Sequence, residues 1–197
     1  MTNSDLILKQ GYKPIIISLV IVLLLQLFIS SFLSNIVLVI TLFLVFIYRN
    51  PSRHIFENSK SVLAPIDGKV MSIDYVNGKQ KIYCKVSLCN THILRAPQSG
   101  NIKVKKYQHG LNLNPNSYKA NVLNEQITLK FNHIKLKLIS GICNTNIIEI
   151  EDKTVCQGED MGIFLDGIVE MTIKDDYKLL VKIGDKLTSG QTIIFKR

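Results

Sequence analysis

Tryptophan is absent from this 197-residue chain, aromatic residues make up 8% and proline occurs 5 times. With 47% hydrophobic residues as well, that scarcity of breakers excludes a disordered polypeptide. The length fits one modest domain plus an appendage and excludes a large multidomain enzyme. Cysteine is sparse too, at 4 residues, which excludes a disulfide scaffold. No pair has the Cys-x-x-Cys spacing of a zinc site, so Cys84, Cys89, Cys143 and Cys156 read as small buried hydrophobes. Acidic residues are few, 15 against 24 Lys and Arg, giving a net charge of +9. Such a surface suits an anionic membrane face. Nucleic acid is not an expected partner, because the lysines alternate along strand-like segments and form no recognition helix or basic arm.

Charge is missing altogether from Pro14 to Tyr48. The apolar run Ile15–Ile29 meets a polar dip, Ser30-Ser31-Phe32-Leu33-Ser34-Asn35, before a second run, Ile36–Tyr48. A single span needs about 20 apolar residues, so this stretch is too long for one and slightly short for two. The dip predicts a tight transmembrane helical hairpin. Lys9 and Lys13 before it, and Arg49, Arg53 and Lys60 after it, place both ends and the following domain on the cytoplasmic side of the inner membrane. A cleaved signal peptide would have a shorter apolar core and a small-x-small cleavage site. The expected organisation is a cytoplasmic N-terminus over 1–13, the hairpin over 14–48, a linker over 49–62 and a β domain over 63–197.

Beyond Arg49 the hydrophobic period becomes two. Lys69–Val76, Lys81–Leu88, Gln126–Phe131 and Ile134–Leu138 alternate apolar and polar residues, as half-buried strands do. Asp67-Gly68, Asn77-Gly78, Ser99-Gly100, Ser140-Gly141 and Ser189-Gly190 punctuate them as turns. One short helix is expected between Ser117 and Leu123. The fold class is mainly β, a compact sandwich or barrel-like domain. His54, His109 and His133 lack any partner pattern, and Lys103–Tyr107 reads as a solvated strand face or a contact for lipid headgroups.

Several segments, taken in order, resemble one family. Arg49-Asn50-Pro51-Ser52-Arg53, Ala64-Pro65-Ile66-Asp67-Gly68-Lys69-Val70 and Asn90-Thr91-His92-Ile93-Leu94-Arg95-Ala96-Pro97-Gln98-Ser99-Gly100 lead the series. Lys119-Ala120, Asn124-Glu125, Gly158-Glu159-Asp160-Met161-Gly162-Ile163-Phe164 and the Gly184-to-Ile194 hairpin complete it. Together they are similar to the short, membrane-anchored phosphatidylserine decarboxylases. The closing hairpin also resembles those of lipoyl-type sandwich hybrids.

The resemblance implies a proenzyme that cleaves itself. A Ser after Gly attacks the preceding carbonyl, and elimination leaves a pyruvoyl group, so no external cofactor is expected. That carbonyl then takes the amine of phosphatidylserine and accepts electrons as carbon dioxide departs. Asp67 and His92 correspond to the assisting Asp and His, and Arg95 to the following Arg, implied to bind substrate. At the cleavage point the chain reads Gly162-Ile163-Phe164-Leu165-Asp166-Gly167-Ile168-Val169, so Ile168 stands where the resemblance places Ser. No glycine in the chain is followed by Ser, Thr or Cys. Ile139-Ser140 and Thr188-Ser189 remain as displaced alternatives.

The expected function is therefore a membrane-anchored pseudoenzyme that binds phospholipid headgroups or a protein. Its protein partners would be a second copy of the chain or a separate intact decarboxylase. The rival expectation is an active decarboxylase with a non-standard processing site.

Overall fold

The computed structural model describes residues 6–55, 58–143, 152–174 and 176–197. They form two compact units, Met1–Ser52 and Arg53–Arg197.

In the first unit α1 (Lys9–Phe28) and α2 (Ser31–Ile47) pair as a hairpin. The helices break at Ile29 and Ser30, at the start of the polar dip, where the Ser30 hydroxyl caps α2 by accepting from the Phe32 amide. Ser34 donates across the pair to the Val22 carbonyl, 3.1 Å away. At the open end Ile7 bridges Arg49, and the Leu8 amide donates to the Tyr48 carbonyl at 3.0 Å. Apolar side chains project outward all round: Leu23 is 62% exposed, Phe32 74% and Val39 66%. Two helices this apolar cannot bury their own surface against each other, and hydrocarbon is the solvent that suits them. Ser18 and Thr41 return their hydroxyls to carbonyls of their own helices, as that medium demands. Among the described residues one helix, over Gly11–Phe28, is long and apolar enough to cross a membrane; α2 is shorter. Helix α1 starts upstream of the expected boundary, taking Lys9 and Lys13 into its first turns.

The second unit is mainly β. Its strands are β1 (Ser61–Leu63), β2 (Gly68–Val76), β3 (Lys79–Val86), β4 (Ile93–Arg95), β5 (Gly100–Gln108), β6 (Gln126–Phe131) and β7 (Ile134–Ser140). There follow β8 (Lys153–Val155), β9 (Asp160–Ile163), β10 (Gly167–Lys174), β11 (Lys178–Leu179), β12 (Lys186–Leu187) and β13 (Ile193–Lys196). One short helix, α3 (Ala120–Leu123), lies between β5 and β6. Eight strands make the main sheet in the order β12-β2-β3-β10-β7-β6-β5-β8; β1-β13-β11 and β4-β9 form two small sheets. The stretch read as a linker over 49–62 contributes Arg53 to this unit and most of β1 to its sheet.

Alternation decides which face is which. Val70, Ile82, Cys84, Leu129, Leu136, Leu138, Val169 and Met171 point inward and meet Val62, Leu94, Phe164 and Phe195 from the smaller sheets and connections in one core. Phe131, Phe164 and Phe195 are wholly enclosed; truncating any of them to Ala costs about 3–5 kcal/mol. Asn77 and Gly78, at φ 52° and 65°, form the tight turn between β2 and β3 with both central residues left-handed. The cysteine expectation is corrected: Cys84 alone is buried, because it falls on the inward period of β3. Cys89, Cys143 and Cys156 are exposed in turns.

Candidate active site

Asp67 closes the buried segment Ala64–Ile66 that feeds β2. That segment is fixed by its backbone: the Arg95 amide donates to the Pro65 carbonyl at 2.7 Å, and the Gly190 amide donates to the Ala64 carbonyl at 2.9 Å. The Asp67 carboxylate receives both arms of the Arg53 guanidinium, at 2.6 and 2.7 Å, and the Ser189 amide at 2.7 Å. Arg53 also donates to the Ser189 carbonyl at 2.9 Å and the Thr91 hydroxyl at 3.1 Å. Burial pushes the Asp67 carboxyl upward, but Arg53, the Ser189 amide and Thr91 outweigh it and hold it below the usual carboxylate range. A turn residue would need none of this; Asp67 is one half of an enclosed, bidentate ion pair.

His92 lies next to Thr91 and is completely buried. Its Nε2 is 3.1 Å from the Leu88 carbonyl, which can only accept, so that nitrogen carries the proton. The His92 carbonyl accepts from the Phe164 amide at 2.8 Å, and the Phe164 ring abuts Gly167. Arg95, expected to bind substrate, sits 7% exposed with its guanidinium on the Gly158 carbonyl at 3.0 Å and on Asp160 at 2.7 Å.

Gly167 opens β10, directly opposite Val86 on β3 and Ser140 on β7. Its φ is +138°, and a Cβ there would lie 2.2 Å from the Ile139 carbonyl oxygen. Ile168 follows, opposite Lys85 and Ile139, on the face of the sheet away from the core, yet it is only 7% exposed. The connection over 109–124 is fastened to this face on either side of it. Asn116 accepts from Lys85 at 2.8 Å, the Asn121 carbonyl from Gln126 at 2.7 Å and the Val122 carbonyl from Gln108 at 3.0 Å, and all three donors belong to that same face. Buried Asn124 anchors the connection by holding both backbone groups of Leu113 and the Ser140 carbonyl.

Asp67, His92 and Gly167 thus gather at one end of the main sheet, with the β2 end two strands, or about 10 Å, from β10. Sequence reasoning read Arg53 as a membrane-flanking charge and missed its place on Asp67; no periodicity signals a pairing made in the tertiary fold. Ser140 and Ser189 are distant along the chain, but the structure sets them opposite Gly167 and on Asp67 respectively. The Ser140 hydroxyl donates to Asn112 at 2.9 Å. Among the described residues no cluster of His, Cys, Asp and Glu could hold a metal.

The family model for phosphatidylserine decarboxylase matches residues 40–195. The chain belongs to the phosphatidylserine decarboxylase family. It is 27% identical to a phosphatidylserine decarboxylase proenzyme of Pelagibacter ubique, over 96% of this chain and 95% of that one. It is 33% identical to a proenzyme of the same name from Cytophaga hutchinsonii, over 94% and 96%. A third, from Syntrophus aciditrophicus, is 29% identical over 98% of each. No solved structure matches the chain. The family acts on membrane phospholipid and uses a pyruvoyl group made from its own backbone. Ile168, which follows Gly167, carries no oxygen, and it lies opposite Ile139 on β7.

Proposed function

We propose that this member of the phosphatidylserine decarboxylase family does not cleave itself and serves as a phospholipid-headgroup or protein-binding module at the cytoplasmic face of a membrane. The observation that carries the reading is Ile168, a hydrocarbon side chain following Gly167 where the family resemblance calls for a Ser. Its burial supports it, because an aliphatic side chain is at home where little water reaches. In this reading Asp67 and His92 are the family's assisting pair left idle, and the Asp67 charge is answered by Arg53. In this reading the Asp67–Arg53 pair holds Thr91 and the Ser189 turn in place, a framework role, and Arg95 braces the Gly158 turn.

A second reading, an active decarboxylase processed elsewhere, draws on one contact: the Ser189 amide donates to Asp67. Scission before Ser189 would release a short tail carrying β13. Denaturing intact-mass measurement on the purified full chain separates the two. The first reading expects one uncleaved mass and no carbonyl trapped by borohydride. Fragments split at Gly167 overturn it, and fragments split at Thr188 install the second.

A further inference from the structure

The main sheet has an outward face opposite the core, and the residues on it are unusual. Registers place Lys135 opposite Lys130, Lys137 opposite both Thr128 and Glu170, and Lys106 opposite Thr128. Lys81 lies opposite Thr172 and 3.7 Å from Glu170. Like charges facing each other across strands destabilise a sheet. Here Glu170, 8% exposed, answers only part of the positive charge. Burial, with Lys135, Lys106 and Lys81 close by, holds the Lys137 ammonium below the usual lysine range despite Glu170.

The connection over 109–124 lies on this same face, fastened by Lys85, Gln108 and Gln126. What it presents to solvent is mixed: Asn112, Asn114, Asn116, Lys119 and Asn121 are exposed, and four large apolar side chains stand among them. Tyr118 is 93% exposed, Val122 66%, Leu111 55% and Leu123 44%. Singly exposed apolar residues are ordinary; four on one connection, beside a field of lysines, are not. An aromatic and aliphatic tip flanked by ammonium groups has the composition of a segment that enters the interface of a charged bilayer.

We infer that the 109–124 connection inserts Tyr118, Val122, Leu111 and Leu123 into the headgroup region of an anionic phospholipid bilayer, while Lys81, Lys106, Lys130, Lys135 and Lys137 lie against its phosphates. The occupant is a lipid surface because the patch joins aliphatic tips to an excess of cations, whereas a nucleic-acid duplex would use the cations and leave Val122, Leu111 and Leu123 in water. Docking would set this connection at the depth of the headgroups. This inference rests on the membrane-module reading above and is independent of whether the chain cleaves itself.

The absence of tryptophan makes the test direct. Full-length Tyr118→Trp and Val122→Trp variants are reconstituted into vesicles of phosphatidylcholine alone, or with roughly a third phosphatidylglycerol. Tyr75→Trp, at 64% exposure beside the Asn77-Gly78 turn, serves as the control. In anionic vesicles, emission from positions 118 and 122 should shift to shorter wavelength and be quenched several-fold more by acyl-chain-brominated lipid than in neutral ones. The control should not change. Adding Lys106→Gln, Lys135→Gln and Lys137→Gln should lower the inserted-to-free ratio by a factor of about five per lysine. Water-like, unquenched emission in both vesicle types overturns the inference, as does equal quenching in both. A shift produced by a short DNA duplex and not by lipid overturns it in favour of nucleic acid. Phosphatidylglycerol carries no serine, so failure here leaves the intact-mass result standing.

Discussion

Replacing Asp67 by Asn tests whether the Arg53 pair is a framework element. The two side chains are 14% and 9% exposed, so little water reaches either. The substituted amide would fill the same volume and could still accept from the Ser189 amide. The Arg53 guanidinium would then lie buried with neutral acceptors only, the Ser189 carbonyl and Thr91 hydroxyl among them. Removing one partner of a buried pair costs about 3–5 kcal/mol. For a protein of this size even the lower figure is a fall in Tm of roughly 6–12 °C. The carboxyl is held below its ordinary value of 3.8 in the folded chain, so its stabilisation is complete above that pH and fades as pH drops through the depressed folded value. An Asn side chain does not titrate. Thermal scans of the full-length protein in detergent should therefore show a wide gap between the two proteins at neutral pH that narrows below pH 3.8. A gap under about 1 kcal/mol at neutral pH, the value of an exposed pair, would refute the framework role.

Gly167→Ala should lower stability by about 3 kcal/mol or more, since its Cβ would sit 2.2 Å from a backbone carbonyl that cannot move without breaking β7 pairing; denaturant titration checks it. Asn124→Ala should loosen the 109–124 connection by removing its three polar ties, seen as faster amide exchange over that stretch with the β10 core still protected. Burial, with Asp67 nearby, pushes the Cys84 thiol up to about 12, so a thiol reagent at neutral pH should label exposed Cys89 and Cys156 first, Cys143 more slowly because burial and Asp166 push its thiol up, and Cys84 only after unfolding.

Much of the β unit was legible because most of its strands have one face wet. Gln126–Phe131 matches β6 end to end, and Asn77-Gly78 marks the β2–β3 hairpin. Strand β10 escaped notice for the opposite reason: from Gly167 to Ile173 every residue is buried, so no alternation survives. The lysine face was visible as alternation, but the fastening of a distant connection onto it was not, since it depends on Lys85, Gln108 and Gln126 reaching the same loop. Asp67 could be singled out by resemblance. Its partner Arg53 stood in a resembling segment too, but the pairing could not be read there, because membrane flanks and site residues are written with the same amino acid.

Strand β10 is held between β3 along its whole length and β7 along most of it. A backbone nick ahead of it would therefore leave two polypeptides stitched into one sheet by ladders on both sides. Such a product would travel as a single particle through gel filtration or native electrophoresis, and only an unfolding solvent would reveal two chains.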